Sequence, residues 1–202
     1  MFNAPWTVTA LVAAIVASFL FQGTMSEAEW LAWALWPPAV LGAGRWETLV
    51  TAMFLHGGWL HTLMNAAGAL AFGAPVARLF GERAGGAFAF FLFYIVCGVI
   101  SGLGFALLNP SEAVPVVGAS GAVSGLMGGA SRLIDRRGAL GPILGRTPIG
   151  MGAAWIVINL VFGLTTLTPG ADGMQIAWQA HLAGYFAGLL LIGPFARALR
   201  KA

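Results

Sequence analysis

Long apolar runs dominate the chain, and the short polar stretches between them fall at intervals that suit membrane crossings. A spanning helix needs about 20 mostly apolar residues. Six segments meet or approach that length: Trp6–Phe21, Trp59–Phe80, Ala87–Leu108, Ala119–Ile134, Ile149–Leu167 and Ile176–Phe195. The apolar residues come in runs and not in alternation, which argues against a transmembrane β-barrel. The first segment lacks a basic leading region, so it reads as an anchor helix and not a cleaved signal peptide. The fourth is short and rich in glycine. Pro75 lies late in the second, where neighbouring helices can satisfy the freed carbonyl. No internal repeat or water-exposed domain interrupts the pattern, and residues 1–202 read as one membrane domain of all-α class, a bundle of six transmembrane helices.

Composition narrows the class further. Of 202 residues, 59% are hydrophobic and 8% charged. A soluble domain carries about 25% charged residues, so soluble, disordered and coiled-coil architectures are excluded. The 29 glycines suit helices whose backbones approach closely. A net charge of +3 does not point to nucleic acid, because no basic patch with interleaved aromatics exists. The charges encode topology instead. Arg78, Arg83, Arg132, Arg136, Arg137, Arg146, Arg197, Arg200 and Lys201 fall on one side of the six crossings, with Arg45 the exception. The positive-inside rule then places both termini in the cytoplasm. Short loops favour a bacterial inner membrane. Cys97 is the single cysteine, and with three histidines it offers no metal-ligand spacing.

The connection over residues 22–58 is too apolar for an ordinary exposed loop. Trp30, Trp33 and Trp36 recur every third residue, and Pro37–Pro38 interrupt any helix there. This pattern predicts a segment lying in the outer membrane interface, a lid packed on the bundle, or both at once.

Polar groups inside a bilayer are costly and mark candidate functional positions. His61 and Asn65 are four residues apart on one helix face near the start of the second segment. Ser120 opens the fourth segment, and His181 follows Ile176 by about 7–8 Å of helix. The fourth segment is about 24 Å long against a core of about 30 Å. If the arginines hold its cytoplasmic end, Ser120 lies below the outer surface at the depth of the other three. Serine, histidine and a nearby amide are the ingredients of acyl transfer. His181 would serve as general base for Ser120, and His61, Asn65 and the Ser120 N–H as oxyanion donors. No carboxylate lies in the middle of any segment, which leaves a Ser–His dyad and requires something else to hold the His181 ring.

Each residue alone also has an ordinary explanation. Ser120 suits a helix N-cap, and His181 could bond a buried carbonyl. Asn65, Asn159 and Thr165–Thr166 suit interhelical hydrogen bonds. Gly184 and Gly188 suit close packing, and His56 suits a brace for the interfacial segment. The joint case is stronger, because separate ordinary explanations would have to coincide at one depth.

Three linked motifs carry a resemblance. His56-Gly-Gly-Trp-Leu-His61-Thr-Leu-Met-Asn65 resembles the HxxxxHxxxN signature of rhomboid intramembrane serine proteases. Gly118-Ala119-Ser120-Gly121 resembles their GxSG nucleophile motif, and Ala180-His181-Leu-Ala-Gly184-Tyr-Phe-Ala-Gly188 their AHxxGxxxG helix. The resemblance implies a six-helix rhomboid-like bundle that cuts transmembrane protein substrates near the membrane surface without metal or cofactor. In it Ser120 is the nucleophile, His181 the base, and His61 and Asn65 form the oxyanion hole. His56, Gly118, Gly121 and Gly184 are structural support, the last two letting helices four and six meet closely. Two departures stand out. The aromatic usual one turn after the nucleophile is Ser124 here, and the usual Trp-Arg pair is replaced by Arg45-Trp46-Glu47. The alternatives are a rhomboid-like binder of transmembrane helices without activity, mildly favoured by Ser124, and a small channel or transporter, for which no inverted repeat or ion-binding carboxylate speaks.

Overall fold

Among the described residues of the computed structural model, four helices are long and apolar enough to cross a membrane: Trp59–Phe80 (α5), Ala84–Leu108 (α6), Arg146–Leu164 (α8) and Trp178–Leu199 (α9). The structure describes residues 4–165 and 176–199. Two further apolar helices, α1 (Trp6–Gln22) and α7 (Ser120–Ile134), have 17 and 15 residues. At about 1.5 Å per residue both are shorter than a 30 Å core requires. Three short helices, α2 (Glu27–Trp33), α3 (Pro37–Ala43) and α4 (Thr48–Thr51), followed by a 3-10 turn at Ala52–Phe54, link α1 to α5.

The ends of the long helices differ from the hydropathy pattern for local reasons. α6 starts three residues before Ala87, because a Cβ on Gly86 would come within 2.1 Å of the Gly81 carbonyl. The glycines that look like loop are what allow the tight turn from α5. α8 starts at Arg146 with Pro148 in its first turn, where a missing N–H costs nothing. It ends at Leu164, since Thr165 is extended. The Thr165 hydroxyl donates to the Val161 carbonyl of its own helix, and so it is not an interhelical link. Thr166, Leu167 and Asp172 lie outside the described residues. α9 begins at Trp178, two residues after Ile176, and continues past Phe195 to Leu199.

α7 is the centre of the bundle. All its residues from Gly121 to Leu133 are buried, and it packs against α5, α6, α8 and α9. Its glycines explain how. A Cβ on Gly184 would lie 2.1 Å from the Gly121 carbonyl oxygen, and one on Gly188 1.8 Å from that of Gly125. A Cβ on Gly128 would lie 2.0 Å from the Tyr185 oxygen. α7 and α9 therefore meet backbone to backbone, which dispersion rewards and any side chain forbids. On the other side Gly121 and Gly125 admit Ser101 and Cys97 of α6. α8 is held more loosely, with only Pro148, Gly152 and Asn159 buried.

Residues 22–58 form a folded cap packed on the bundle, as the lid reading expects. Ser26 and Glu29 make a reciprocal capping box that starts α2. Pro37 begins α3, and Gly44 in the left-handed region ends it. Leu35, Val40, Leu49 and Ala52 are buried with Phe105 of α6 and Ala180 of α9. Trp33 remains 36% exposed, whereas Trp30 and Trp36 are half-buried, and the Trp36 ring N–H donates to the Leu31 carbonyl. Arg45 pairs with Glu47.

Arg132 is more than a topology marker. It is only 9% exposed, its Nε and Nη2 donate to the Gly141 carbonyl, and its Nη1 donates to the Leu189 carbonyl. It thereby ties the end of α7 to the following loop and to α9. Replacing it with methionine strands the buried Gly141 carbonyl, at about 1–3 kcal/mol, and cuts the tie to α9. Arg132→Met should lower the thermal midpoint in detergent by several degrees, and an unchanged midpoint would show that the tie contributes nothing.

Candidate active site

The loop before α7 and the start of that helix deliver Ser120. Val116 and Leu35 exchange two backbone hydrogen bonds (3.0 and 2.9 Å), and the Gly118 N–H donates to the Ala52 carbonyl at 2.9 Å. The cap therefore holds this loop in place. Gly118 has φ +125°, a conformation that side chains disfavour. A Cβ there would also come within 2.7 Å of the His61 ring and 3.6 Å of Ser120 Oγ. Glycine is thus needed twice at this position, for the turn and for the space between His61 and Ser120. As the first residue of α7, Ser120 has an N–H with no intrahelical acceptor.

His181, one turn into α9, faces Ser120. Its Nε2 lies 2.8 Å from Ser120 Oγ, and its Nδ1 lies 2.7 Å from Asn159 Oδ1 of α8. The Trp155 ring, one turn before Asn159, lies beside the imidazole at 5.9 Å between centroids and 31° between planes. Ser101 of α6 donates to the Ala180 carbonyl at 2.7 Å and fixes the start of α9 next to the site.

On α5, the Gly57 N–H donates to His61 Nδ1 at 3.2 Å. In the neutral ring this leaves the proton on Nε2, the nitrogen that lies against Gly118. Asn65 donates from Nδ2 to the His61 carbonyl at 2.8 Å, and its Oδ1 is buried without a partner. His61, Asn65, Ser120 and His181 all line one cavity of about 420 Å³, together with Gly118, Gly121, Ser124 and Trp155. Met64, Gly68 and Phe72 of α5 and Met127 of α7 give it an apolar flank.

His56 and Gly184 stand outside this cavity. His56 is fully buried, edge-on to Phe19 and packed against His61 at 5.3 Å between centroids. Burial first, and the neighbouring His61 second, push its pKa down to about 4. Its backbone exchanges two hydrogen bonds with the Gln22 amide at the end of α1 (2.7 and 2.8 Å). Gly184 serves the α7–α9 contact described above.

Comparison with known proteins places the chain in a family. The family model of the Rhomboid domain matches residues 43–198, everything from the end of α3 to the last turn of α9. The chain belongs to the rhomboid family. With four apolar crossing-length helices, this rhomboid is an integral membrane protein. It is 29% identical over 163 residues to the Bacillus subtilis (strain 168) protein named "Putative rhomboid protease YdcA", covering 78% of this chain and 74% of that one. It is 32% identical over 163 residues to "RHOMBOID-like protein 6, mitochondrial" of Arabidopsis thaliana, covering 77% of this chain and 45% of that one. A third relative, "RHOMBOID-like protein 9, chloroplastic" of the same plant, is 40% identical over 86 residues, 43% of this chain and 18% of that one. This rhomboid thus spans less than half of the plant relatives' length.

Two residues of the site escape a reading of the sequence alone. Asn159 touches His181, whereas its position in an apolar helix suggests only a link between helices. Trp155 supplies the aromatic neighbour that Ser124 does not. Ser124 instead donates back to the Ser120 carbonyl at 2.7 Å. Tyr185, one turn after His181, instead donates to the Pro148 carbonyl at 2.7 Å. The signal available was the spacing: Trp155 and Asn159 are four apart on one face of α8, as His61 and Asn65 are on α5.

Proposed function

We propose that this rhomboid is an intramembrane serine endopeptidase that cleaves transmembrane protein substrates through Ser120 and His181. The observation that carries the reading is the 2.8 Å contact between Ser120 Oγ and His181 Nε2 inside a cavity that also holds His61 and Asn65. In the first step Ser120 Oγ bonds to the scissile carbonyl carbon as its proton passes to His181 Nε2. The resulting oxyanion accepts from the Ser120 N–H, from His61 Nε2–H and from the Asn65 N–H not used by the His61 carbonyl. Collapse breaks the C–N bond, and His181 gives the proton to the leaving amine. Water then attacks the acyl carbon and loses its proton to His181, which returns it to Ser120 Oγ as the ester C–O bond breaks and the acid product leaves. No metal or cofactor takes part.

The membrane arrangement belongs to the same proposal. α1, α5, α6, α7, α8 and α9 make six crossings, the short α7 starting below the outer surface. Both termini lie in the cytoplasm of a bacterial inner membrane, with the arginines inside. Substrate reaches Ser120 sideways from the bilayer, along the apolar flank of the cavity, or by bending in from the outer face.

Reconstitution with a panel of single-span substrates tests the activity. Product masses should map one peptide bond cut per substrate, close to the outer membrane surface. A substrate that is bound and never cut across the whole panel would contradict the proposal. Asn65→Ala should lower the cleavage rate by about 10–10³-fold, as for loss of one oxyanion donor. An unchanged rate would remove Asn65 from the hole.

A further inference from the structure

We propose that Asn159 is a positioning residue for His181, the third member of a Ser–His–Asn arrangement, and that it selects the tautomer in which Nε2 is free to take the serine proton. This rests on the reading of Ser120 and His181 as nucleophile and base, and deepens it.

The direction of the Asn159 amide is forced by its own helix. Its Nδ2 donates to the Trp155 carbonyl at 2.8 Å. Turned over, the amide would set its oxygen against that carbonyl, acceptor to acceptor. Oδ1 therefore faces His181, 2.7 Å from Nδ1. A carbonyl oxygen only accepts, so Nδ1 carries the hydrogen. In the neutral imidazole the other nitrogen, Nε2, then has its lone pair directed at Ser120 Oγ, 2.8 Å away. The opposite tautomer would break the Asn159 contact and present Nε2–H to the hydroxyl, where it could not remove a proton.

Three features make this a built contact. Asn159 is 2% exposed and is one of only three buried residues on α8. Its two amide atoms are both used. Trp155, whose carbonyl orients the amide, also places its ring beside the same imidazole. A neutral amide suits this position, since a buried carboxylate in an apolar bundle would carry a heavy desolvation cost. α8 therefore contributes a carbonyl-to-amide-to-imidazole relay of orientation, although neither Trp155 nor Asn159 performs chemistry on substrate.

The test has one readout on the unaltered protein and one on variants. With only three histidines in the chain, ¹⁵N-imidazole labelling of the detergent-solubilised protein resolves His181 by comparison with His181→Ala. The expected spectrum has protonated Nδ1 and unprotonated Nε2. Protonated Nε2 in the wild type would overturn the proposal, whether or not the protein is active. Asn159→Leu keeps the shape and removes the acceptor. It should leave KM nearly unchanged and lower kcat, and the rate of fluorophosphonate labelling, by about 10²–10³-fold, below the ~10⁴-fold that follows loss of a charged orienting group. Its His181 spectrum should show a mixture of tautomers. Asn159→Asp restores an acceptor at the same atom and should recover part of the rate. Leu and Asp variants that fold and label at the wild-type rate would refute the role. Wild-type protein that shows the expected tautomer yet never labels would leave the positioning intact and refute the peptidase reading instead.

Discussion

Ser120→Ala and His181→Ala should each reduce proteolysis of a transmembrane substrate to the uncatalysed background while the protein still folds. Ser120 sits at the first position of α7 with its Oγ on His181 Nε2, so removing that atom takes away the bond-forming group and little packing. His181 touches Ser120 and Asn159 through its two ring nitrogens. Without it the hydroxyl keeps its proton at neutral pH and is a weak nucleophile. Groups that act as one unit fail together. Each single substitution is expected to cost about 10⁴-fold or more, and the double variant should be no slower than either single one. Rates measured on reconstituted protein, with thermal unfolding as the check on folding, decide this. Multiplicative losses in the double variant would mean that the two residues act separately.

Gly188→Val should prevent the bundle from assembling. Its Cβ would sit 1.8 Å from the Gly125 carbonyl oxygen, and the obstacle is backbone on a helix buried from Gly121 to Leu133. Ordinary overpacking costs about 1–3 kcal/mol because side chains can shift. Here α7 and α9 must separate, which also pulls Ser120 away from His181. The expected outcome is loss of the cooperative thermal transition, or a midpoint many degrees lower, with activity lost in parallel. Gly150→Ala provides the control. Nothing lies within 4 Å of a Cβ at that position, so it should be neutral or stabilising by about 0.5–1 kcal/mol through better helix propensity. Equal behaviour of the two variants would show that close backbone contact does not hold α7 and α9 together.

Much of this architecture can be read from residue patterns, because a bilayer punishes exceptions. Length and apolarity mark α5, α6, α8 and α9. The i, i+4 pair His61–Asn65, the serine in a glycine pair and His181 stand out as polar groups where polarity is costly. Asn159 was legible as a residue but not as a partner. An amide in an apolar helix satisfies its ordinary expectation by bonding any neighbouring helix, and only the three-dimensional approach of α8 to α9 picks out His181. Residues 22–58 fit the packed lid, but their internal structure was not legible. Their tryptophans dominate the hydropathy pattern, whereas the conformation follows from smaller signals: Ser26 with Glu29, Pro37 at a helix start, and Gly44 at a helix end. Arg132 was legible as a positive charge, yet its guanidinium is buried on two carbonyls. Charge placement says which end of α7 it occupies, but not that the end is closed over it.

The central claim is that Ser120 is a nucleophile activated by His181. Its most direct measurement is the intact mass and peptide map of the detergent-purified protein after reaction with a fluorophosphonate, beside Ser120→Ala and His181→Ala. The account predicts a single adduct on Ser120 in the wild type and none in either variant. A folded wild-type protein without an adduct, or an adduct on Ser120 that forms equally well without His181, would contradict it.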